Sequence, residues 1–145
     1  RAMEFSHSQW INAPLEQVWA VTLDVDRLPD LSPTTVVEVQ RLDGAPLEVG
    51  HQVRIKQPRQ PARVWTVLEV VAPRRFVWAT SAGPWMMVAI HDLLEDDGRT
   101  LNTLVLDLSG PGSGLIGTLA GRSIHRALVN ENAGFKRVCE NAART

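Results

Sequence analysis

The fold is decided by one stretch, residues 112–142, whose sequence is GSGLIGTLAGRSIHRALVNENAGFKRVCENA. It begins within a break rich in glycine and proline at residues 109–114 and then continues without another proline. Apolar side chains recur along it at spacings of three and four residues, namely Ala120, Ile124, Ala127, Leu128, Phe135, Val138, Cys139 and Ala142. This period is typical of an amphipathic helix, so the stretch predicts one long C-terminal helix with a single apolar face.

One acidic residue interrupts the apolar face of this helix. At the helical period, Glu131 lies between Leu128 and Phe135, with Asn132 at the edge of the face. A carboxylate in this position lies either at a solvated end of an interface or on the wall of a cavity. The sequence leaves both interpretations open.

The composition indicates one globular domain over residues 1–145. Hydrophobic residues make up 44% and charged residues 21%, and a chain of 145 residues is long enough to bury a sizeable core. The formal net charge is −1, with basic and acidic residues interleaved, so no surface for nucleic acid or for an anionic membrane is predicted. No apolar run has the length of a membrane span, and we expect no membrane association.

Cysteine and histidine give no sign of redox or metal chemistry. Cys139 is the only cysteine in the sequence, which excludes an internal disulfide and a cysteine metal cluster. The 4 histidines are scattered without the spacing of a zinc site. We therefore expect no metal and no cofactor. Because the N-terminus also lacks a signal-peptide core, we expect a cytoplasmic protein.

Strands precede the long helix, with two short helices after the first strand. Asn12 suits a helix cap and Pro14 suits a first helical turn, which predicts a short helix ending near Asp24 and a second one over residues 26–31. Segments of β-branched or alternating residues, separated by turn residues, predict about seven strands. These segments are residues 4–11, 34–42, a segment beginning after Gly50, 63–71, 76–81, 85–95 and 100–108.

This order of elements predicts an α+β fold in which a curved antiparallel sheet of about seven strands wraps around the C-terminal helix. An antiparallel sheet has one apolar face, and a single helix covers that face only along a line. The uncovered part of a curved sheet leaves space beside the helix, and the two short helices would close one end. A cavity that binds small, mainly apolar molecules is therefore expected.

Several short motifs resemble those of a known superfamily. They are Ile11-Asn12-Ala13-Pro14-x-x-x-Val18-Trp19, Pro73-Arg74-Arg75-Phe76-x-Trp78, Gly98-x-Thr100, Ser109-Gly110-Pro111 and Phe135-Lys136-Arg137-x-Cys139-Glu140. Together they span nearly the whole chain and resemble the START-like, or SRPBCC, superfamily of helix-grip proteins, in particular its bacterial polyketide cyclase/dehydrase-like branch. Phe135 stands where that family commonly has leucine. The resemblance implies a deep hydrophobic pocket between sheet and helix, and it does not imply a reaction.

The turn Asp97-Gly98 sets which side chains face that pocket. A two-residue turn places His91 opposite Leu104, and directly paired residues share a face. The predicted inner wall then consists of Trp85, Met87, Ala89, His91 and Leu93 on one strand, with Asn102, Leu104, Leu106 and Leu108 on the next. We favour this register over a three-residue turn, which would bring inward Met86, Val88, Ile90 and Asp92.

A second turn, at Pro73-Arg74, predicts the neighbouring wall. Counting from it pairs Val71 with Phe76 and Glu69 with Trp78. The face formed in this way carries Trp65, Val67, Glu69, Phe76 and Trp78. Its two tryptophans, together with Trp85, could form an aromatic cage for a planar ligand, whereas core packing is the stronger interpretation for at least some of them.

Three polar residues on the predicted walls are candidates for chemistry. His91 titrates near neutrality and could act as a general base or orient a ligand, although a structural histidine is the favoured interpretation. Glu131 could polarise or deprotonate a ligand if apolar surroundings raise its pKa, although a solvated or arginine-paired carboxylate is favoured. Asn102 could hold a ligand carbonyl, although an asparagine beside a hairpin is more often a cap. No nucleophile–base pair is recognisable in the sequence.

Two functions follow from these observations. The favoured one is a binding module that holds a small hydrophobic molecule, lipid-, polyketide- or aromatic-like, between the sheet and the helix. The alternative is an enzyme of the cyclase/dehydrase type that moves a proton in the same cavity, with no catalytic residue assigned. The expected ligand-binding residues are Trp65, Trp78, Trp85, Met87, His91, Asn102, Leu104, Leu106, Leu128, Glu131 and Phe135. The expected partner is that small molecule, with no nucleic acid and no membrane, and the sequence leaves a monomer or a homodimer open.

Overall fold

The elements of the protein follow the predicted order. The computed structural model describes residues 3–32 and 36–143. The strands are β1 (Met3–Ile11), β2 (Glu38–Arg41), β3 (Gln52–Lys56), β4 (Arg63–Val71), β5 (Arg75–Ala82), β6 (Trp85–Asp96) and β7 (Arg99–Ser109). The helices are α1 (Leu15–Leu23), a 3-10 turn (Val25–Arg27), α2 (Leu28–Leu31) and α3 (Ser113–Ala143).

Within the described residues, the seven strands form one antiparallel sheet in the order β1-β7-β6-β5-β4-β3-β2. Strands β2 to β7 form the predicted meander, and β1 adds to the edge of β7. At this end of the sheet α3 packs on β1 and β7, with its glycines against the inward side chains of β1. The predicted α+β helix-grip fold, with its sheet around a long C-terminal helix, is confirmed.

The start of α1 differs from the prediction that Asn12 caps it. Pro14 occupies the N-cap position, and no side chain of the cap residue bonds to the helix. The backbone N–H of Leu15 instead donates to Oε2 of Glu95 at 3.4 Å. The predicted Asn12 cap is wrong, because a carboxylate from the distant strand β6 supplies the acceptor that a cap would provide.

Strand β2 is shorter than the predicted segment 34–42. Thr34 and Thr35 lie outside the described residues, and pairing with β3 begins at Glu38 and ends at Arg41. Val36 is already buried in the core before the strand begins. Val36 therefore lies in the segment that precedes β2 and is not part of the paired strand.

The hairpin β6–β7 has the predicted two-residue turn. Asp97 and Gly98 have φ angles of 54° and 77°, the left-handed values that a type I′ turn needs at both central positions. His91 pairs with Leu104, as predicted, and the three-residue alternative is wrong. The register therefore brings the side chains of alternate β6 residues from Met87 to Leu93 to one face.

The hairpin β4–β5 departs from the predicted register. Trp78 pairs with Val67 and not with Glu69, and Phe76 pairs with Val70 and not with Val71. The turn has three residues, 72–74, between the paired Val71 and Arg75, which moves the register by one residue from the prediction. A shift between Val67 and Glu69 moves it by one more. An extra residue in one strand reverses which side chains point inward beyond it. Glu69 accordingly leaves the predicted inner face, and its Oε1 accepts a hydrogen bond from Nε of Arg75 at 2.7 Å.

The C-terminal half of α3 is embedded in the core. Phe135 is 1% exposed and Cys139 is fully buried. Gly134 lies directly against the end of α2, where an added Cβ would come within 1.9 Å of the carbonyl oxygen of Leu31. Only glycine allows this close approach of two backbones. The close contact between Gly134 and Leu31 therefore fixes the position of α3 relative to α2.

The N-terminal half of α3 meets the rest of the protein along a narrower line. Gly117 and Gly121 face Met3 and Phe5 of β1, and added Cβ atoms would lie 3.1 and 3.4 Å from those side chains. The small residues let the helix approach the sheet edge closely. On its other sides this half faces either solvent or the space beneath the helix.

Candidate functional site

A cavity of about 700 Å³ lies between α3 and the sheet. The sheet contributes Ile55, Trp65, Trp78, Met87, Ala89, Ile90, His91, Leu104, Val105 and Leu106 to its lining. α3 contributes Ala120, Ser123, Ile124, Ala127, Leu128 and Glu131. Leu28 and Val36 line it as well, together with Gln57, Pro58, Arg59 and Gln60 from the loop between β3 and β4.

The walls of this cavity are mainly apolar because the apolar face of the sheet lies opposite the apolar face of α3. The alternation of β6 and β7 turns Met87, Ala89, Leu104 and Leu106 to the same face of the sheet. The helical stripe of α3 brings its alanines and Ile124 opposite them. The sheet and the single helix leave unfilled space where small helix residues face the sheet, as predicted for this architecture.

An aromatic wall stands at one side of the cavity. The rings of Trp65 and Trp78 are 5.5 Å apart at an angle of 39°, and Phe76 contacts Trp78 edge to face at 5.1 Å. Both tryptophans line the cavity while being largely buried in the core. They therefore serve packing and present ring surface to the cavity at once.

The loop between β3 and β4 forms the solvent side of the cavity. Pro58, Arg59 and Gln60 are exposed, and Ser123 is exposed on the facing side of α3. Arg59 has a φ of 63°, so the loop turns sharply at this position. The polar lining thus concentrates where the cavity meets water, with one exception deeper inside.

That exception is the pair formed by His91 and Glu131. Nε2 of His91 lies 3.9 Å from Oε2 of Glu131, across the cavity from sheet to helix. The side chain of His91 is 7% exposed and that of Glu131 is 23% exposed. Of the lining residues that the structure describes, only these two and Arg59 are ionisable.

Burial displaces the pKa values of the pair in opposite directions. It lowers the pKa of the His91 imidazole to about 4 and raises the pKa of the Glu131 carboxyl to about 7, because both charged forms lose hydration. Between about pH 4 and pH 7 these shifts favour a protonated Glu131 beside a neutral His91. The cavity thus presents a carboxylic acid that can donate a hydrogen bond and a neutral imidazole that can accept one.

The His91 ring is held by aromatic neighbours. Phe76 and Phe135 contact it edge to face at 5.7 and 6.0 Å. Its Nδ1 has no hydrogen-bond partner among residues 3–32 and 36–143. This atom is buried, so a molecule in the cavity would reach the ring through Nε2, which lies 3.9 Å from Glu131.

Eight of the predicted ligand-binding residues line the cavity. They are Trp65, Trp78, Met87, His91, Leu104, Leu106, Leu128 and Glu131. Their contact with a ligand stays a prediction, but the structure brings them together around one space. The remaining three, Trp85, Asn102 and Phe135, lie elsewhere.

Trp85 is the first residue of β6 and lies outside the cavity. Its indole Nε1 donates to the carbonyl oxygen of Pro111 at 2.6 Å, and its ring packs on Gly110. The strand is longer than the cavity, so a correct register does not bring its first residue to the site. Trp85 instead fixes the glycine-rich entry to α3, and it is not part of an aromatic cage.

Asn102 and Phe135 are buried behind the cavity wall. The side-chain amide of Asn102 donates to Oδ1 of Asn132 at 2.8 Å, so it ties β7 to α3, does not line the cavity and is not a hairpin cap. Phe135 packs against the far side of the His91 ring. Both residues face inward as predicted, but other side chains stand between them and the open space.

Several lining residues were not predicted. Ala120, Ile124 and Ala127 belong to the apolar stripe of α3, so the helical period already pointed to the side they occupy. Arg59 and its neighbours in the loop between β3 and β4 carry no such signal, since a loop has no period from which a direction can be counted. Only the tertiary structure places them at the cavity.

Comparison with known proteins identifies relatives of this fold. A family model described as polyketide cyclase/dehydrase and lipid transport matches residues 2–140. The chain is similar in structure to Zhui aromatase/cyclase from Streptomyces sp. R1128, with a TM-score of 0.79, 19% identity and coverage of 100% of this chain and 98% of that chain. Comparison with functionally curated proteins finds no significant sequence relative.

Two further structures have the same fold. Norcoclaurine synthase from Thalictrum flavum, solved as a point mutant with a transition-state analogue, has a TM-score of 0.76 at 10% identity, covering 99% of this chain and 97% of that chain. Ara h 8.0201 has a TM-score of 0.64 at 12% identity, covering 92% and 98%. At these identities the likeness concerns the fold alone.

None of the helices in the described part of the chain is long and apolar enough to cross a bilayer. Residues 3–32 and 36–143 contain no group of three or more histidine, cysteine or acidic side chains arranged to hold a metal ion.

Proposed function

The chain belongs to the polyketide cyclase/dehydrase and lipid transport family, and we propose that it binds a small, mainly apolar molecule in the cavity between the sheet and α3. The ligand is lipid-, polyketide- or aromatic-like. The observation that carries this proposal is a mainly apolar cavity of about 700 Å³ with the His91–Glu131 pair set into its wall, away from the polar loop between β3 and β4. This volume lies within the range of cavities that enclose a drug-sized molecule.

Glu131 and His91 orient the bound molecule. Near neutral pH the carboxyl group of Glu131 retains a proton to donate, because burial raises its pKa to about 7. The imidazole of His91 is neutral and can accept a hydrogen bond from a hydroxyl group. A ligand with a carbonyl or hydroxyl group on an otherwise apolar body would match both the pair and the walls around it.

Mass spectrometry of the protein purified under native conditions tests the proposal directly. We expect a co-purifying apolar molecule, or else saturable displacement of the fluorescent probe anilinonaphthalene sulfonate by a screened fatty acid or aromatic polyketide. The variants Glu131→Gln and His91→Ala should weaken binding about tenfold, which corresponds to about 1.4 kcal/mol, while the protein stays folded. Asn130→Ala is the matched control, since Asn130 is the exposed neighbour of Glu131. Unchanged affinity in both polar variants would show that the pair does not contact the ligand.

The second candidate function is an enzyme of the cyclase/dehydrase type. The opposed displacement of two pKa values at one site favours it, because an acid and a base on facing walls can protonate one ligand atom and deprotonate another. Glu131→Gln distinguishes the two functions. An enzyme loses turnover of a polyketide-like substrate while it still binds the substrate, whereas a carrier changes only in affinity.

We further propose a bacterial, cytoplasmic protein without nucleic-acid partners, as expected from the sequence. A monomer and a homodimer are both compatible with the fold. Sedimentation of the purified protein distinguishes these two states, and cell fractionation tests the location.

A further inference from the structure

A fully buried amide network joins α3 to two strands beside the acid–base pair. Asn102 and Asn132 are both 0% exposed. Nδ2 of Asn102 donates to Oδ1 of Asn132 at 2.8 Å. Nδ2 of Asn132 lies 2.9 Å from Nδ1 of His7, 3.1 Å from the carbonyl oxygen of His7 and 3.3 Å from that of Asn102.

The orientation of this amide follows from its partners. Two backbone carbonyl oxygens can only accept, so the atom of Asn132 that faces them must be its NH₂ group. The same group then requires Nδ1 of His7 to be an acceptor, which places the proton of the neutral ring on Nε2. The NH₂ group of Asn132 thus faces acceptors on β1 and β7 while its Oδ1 accepts from Asn102, so both strands hold this amide.

Asn132 is adjacent to Glu131 in the sequence, and Gly134 secures the helix from another direction. Its contact with the carbonyl of Leu31 resists sliding of α3 toward α2. α3 also makes directional contacts further along, where Arg137 donates to the carbonyl oxygen of Asp30 at 2.8 Å and the carbonyl oxygen of Cys139 accepts from Gln17 at 3.3 Å. The hydrogen bonds of Asn132 are the directional contacts next to Glu131, so they restrain the rotation of the turn that carries this carboxyl group.

We infer that Asn132 is a positioning residue, which holds the carboxyl group of Glu131 opposite His91 through its bonds to Asn102 and His7. The inference rests on the proposed function of the Glu131–His91 pair and deepens it. Rotation of α3 would swing the carboxyl group toward the solvent side of the cavity or against the apolar wall. In either case the two side chains would no longer face the same atoms of a ligand.

The test measures the pKa values of Glu131 and His91 by NMR titration in the ligand-free protein. Asn132→Leu has a similar shape and removes every hydrogen bond of the amide. We expect the pKa of Glu131 to fall from about 7 and that of His91 to rise from about 4, each by about one unit or more, as both groups gain solvent. Asn130→Leu, on the exposed side of Glu131, should leave both pKa values unchanged.

Two further variants keep the inference falsifiable if Asn132→Leu does not fold. Asn132→Asp keeps the acceptor for Asn102 and loses the donor to β1, and the double variant Asn102→Leu/Asn132→Leu removes both amides so that neither is left unpaired. A folded variant with a lower melting temperature and unchanged pKa values of Glu131 and His91 would overturn the inference. Rescue of both pKa values by Asn132→Gln would support it.

Ligand affinity separates this inference from the proposed function. If the inference holds, Asn132→Leu lowers probe affinity to the level of Glu131→Gln, and combining the two changes costs no more than either alone. If Glu131→Gln leaves affinity unchanged while Asn132→Leu still moves the pKa values, the proposed function fails and the positioning role stands. The converse pattern, with affinity lost in Glu131→Gln and pKa values unmoved by Asn132→Leu, overturns the positioning role alone.

Discussion

The two halves of α3 differ in how they are held. Residues 131–143 are anchored by Asn132, Gly134, Phe135 and Cys139, all of which are buried. In the N-terminal half, Ala120, Ser123, Ile124 and Ala127 line the cavity, and the outer face carries Leu115 and Leu119, which are 65% and 75% exposed. One helix thus contains a segment that belongs to the core and a segment that covers open space.

This difference suggests a division between stability and binding. A segment with few buried contacts opens locally at lower free energy than the segment packed in the core. The N-terminal half can therefore adjust to admit a ligand while the C-terminal half holds the fold. Glu131 stands at the boundary, where it lines the cavity next to the anchored residues.

Phe135→Ala gives the largest expected effect and tests the anchored half. Truncating this buried ring should lower the free energy of unfolding by about 3–5 kcal/mol. Urea unfolding measures the change. Leu119→Ala, on the same helix, should change it by less than about 0.5 kcal/mol because that side chain is exposed. Similar losses in the two variants would remove the distinction between the halves.

Glu131→Gln tests the boundary between the two halves of α3 through the pH dependence of stability. Glu131 has a pKa of about 7 in the folded protein against 4.5 in the unfolded chain. Between pH 4.5 and pH 7 the folded state therefore binds more protons than the unfolded state, and it loses stability as the pH rises. His91 has a folded pKa of about 4 against 6.5, so it contributes the opposite slope, and the two nearly cancel between pH 4.5 and 6.5. The variant keeps only the rising slope of His91.

The difference between variant and wild type is therefore the measurable quantity. Glu131→Gln should gain stability relative to wild type from pH 4.5 to 7, by at most about 3 kcal/mol. Urea unfolding at several pH values measures this gain. The exposed Glu16→Gln serves as control. Parallel stability curves for wild type and Glu131→Gln would show that the carboxyl group is fully hydrated.

Two glycines sharpen the comparison further. An added Cβ at Gly134 would meet the Leu31 carbonyl, whereas one at Gly114 would meet nothing within 4 Å. We expect Gly134→Ala to lower the free energy of unfolding by about 1–3 kcal/mol and Gly114→Ala to raise it by less than about 1 kcal/mol. Thermal melts of the two variants provide the comparison. A neutral Gly134→Ala would mean that α2 moves away easily, and the anchor would then be weaker than the contact implies.

The fold could be predicted from the sequence because its main determinants are local. The Asp97-Gly98 turn fixes the β6–β7 register through its own backbone angles, and the stripe of α3 places Glu131 inside without knowledge of the sheet. The shift between Val67 and Glu69 has no comparable signal, since nothing in the local sequence marks the extra residue. The predicted inward direction of Glu69 fails for that reason.

The site was less predictable than the fold because contacts between residues far apart in the sequence determine which side chains reach the cavity. The bond from Asn102 to Asn132 joins residues of β7 and α3, and neither sequence neighbourhood reveals the other. Trp85 lies on a strand whose register was right, yet the cavity ends before reaching it. Which residues face inward follows from period and turns, whereas which of these reach open space depends on how the layers pack.

Ala127→Leu has the smallest expected effect on stability and the clearest effect on binding. Ala127 lines the cavity from the N-terminal half of α3, so a leucine there fills open space and meets little that must move. We expect the free energy of unfolding to change by less than about 1 kcal/mol, whereas displacement titrations should show weaker binding of the largest ligands and little change for the smallest. Ala133→Leu adds the same atoms on the exposed side of the helix and should alter neither quantity. A loss of stability as large as that of Gly134→Ala would mean that this half of α3 is packed as tightly as the other. The division between an anchored half and a covering half would then fail.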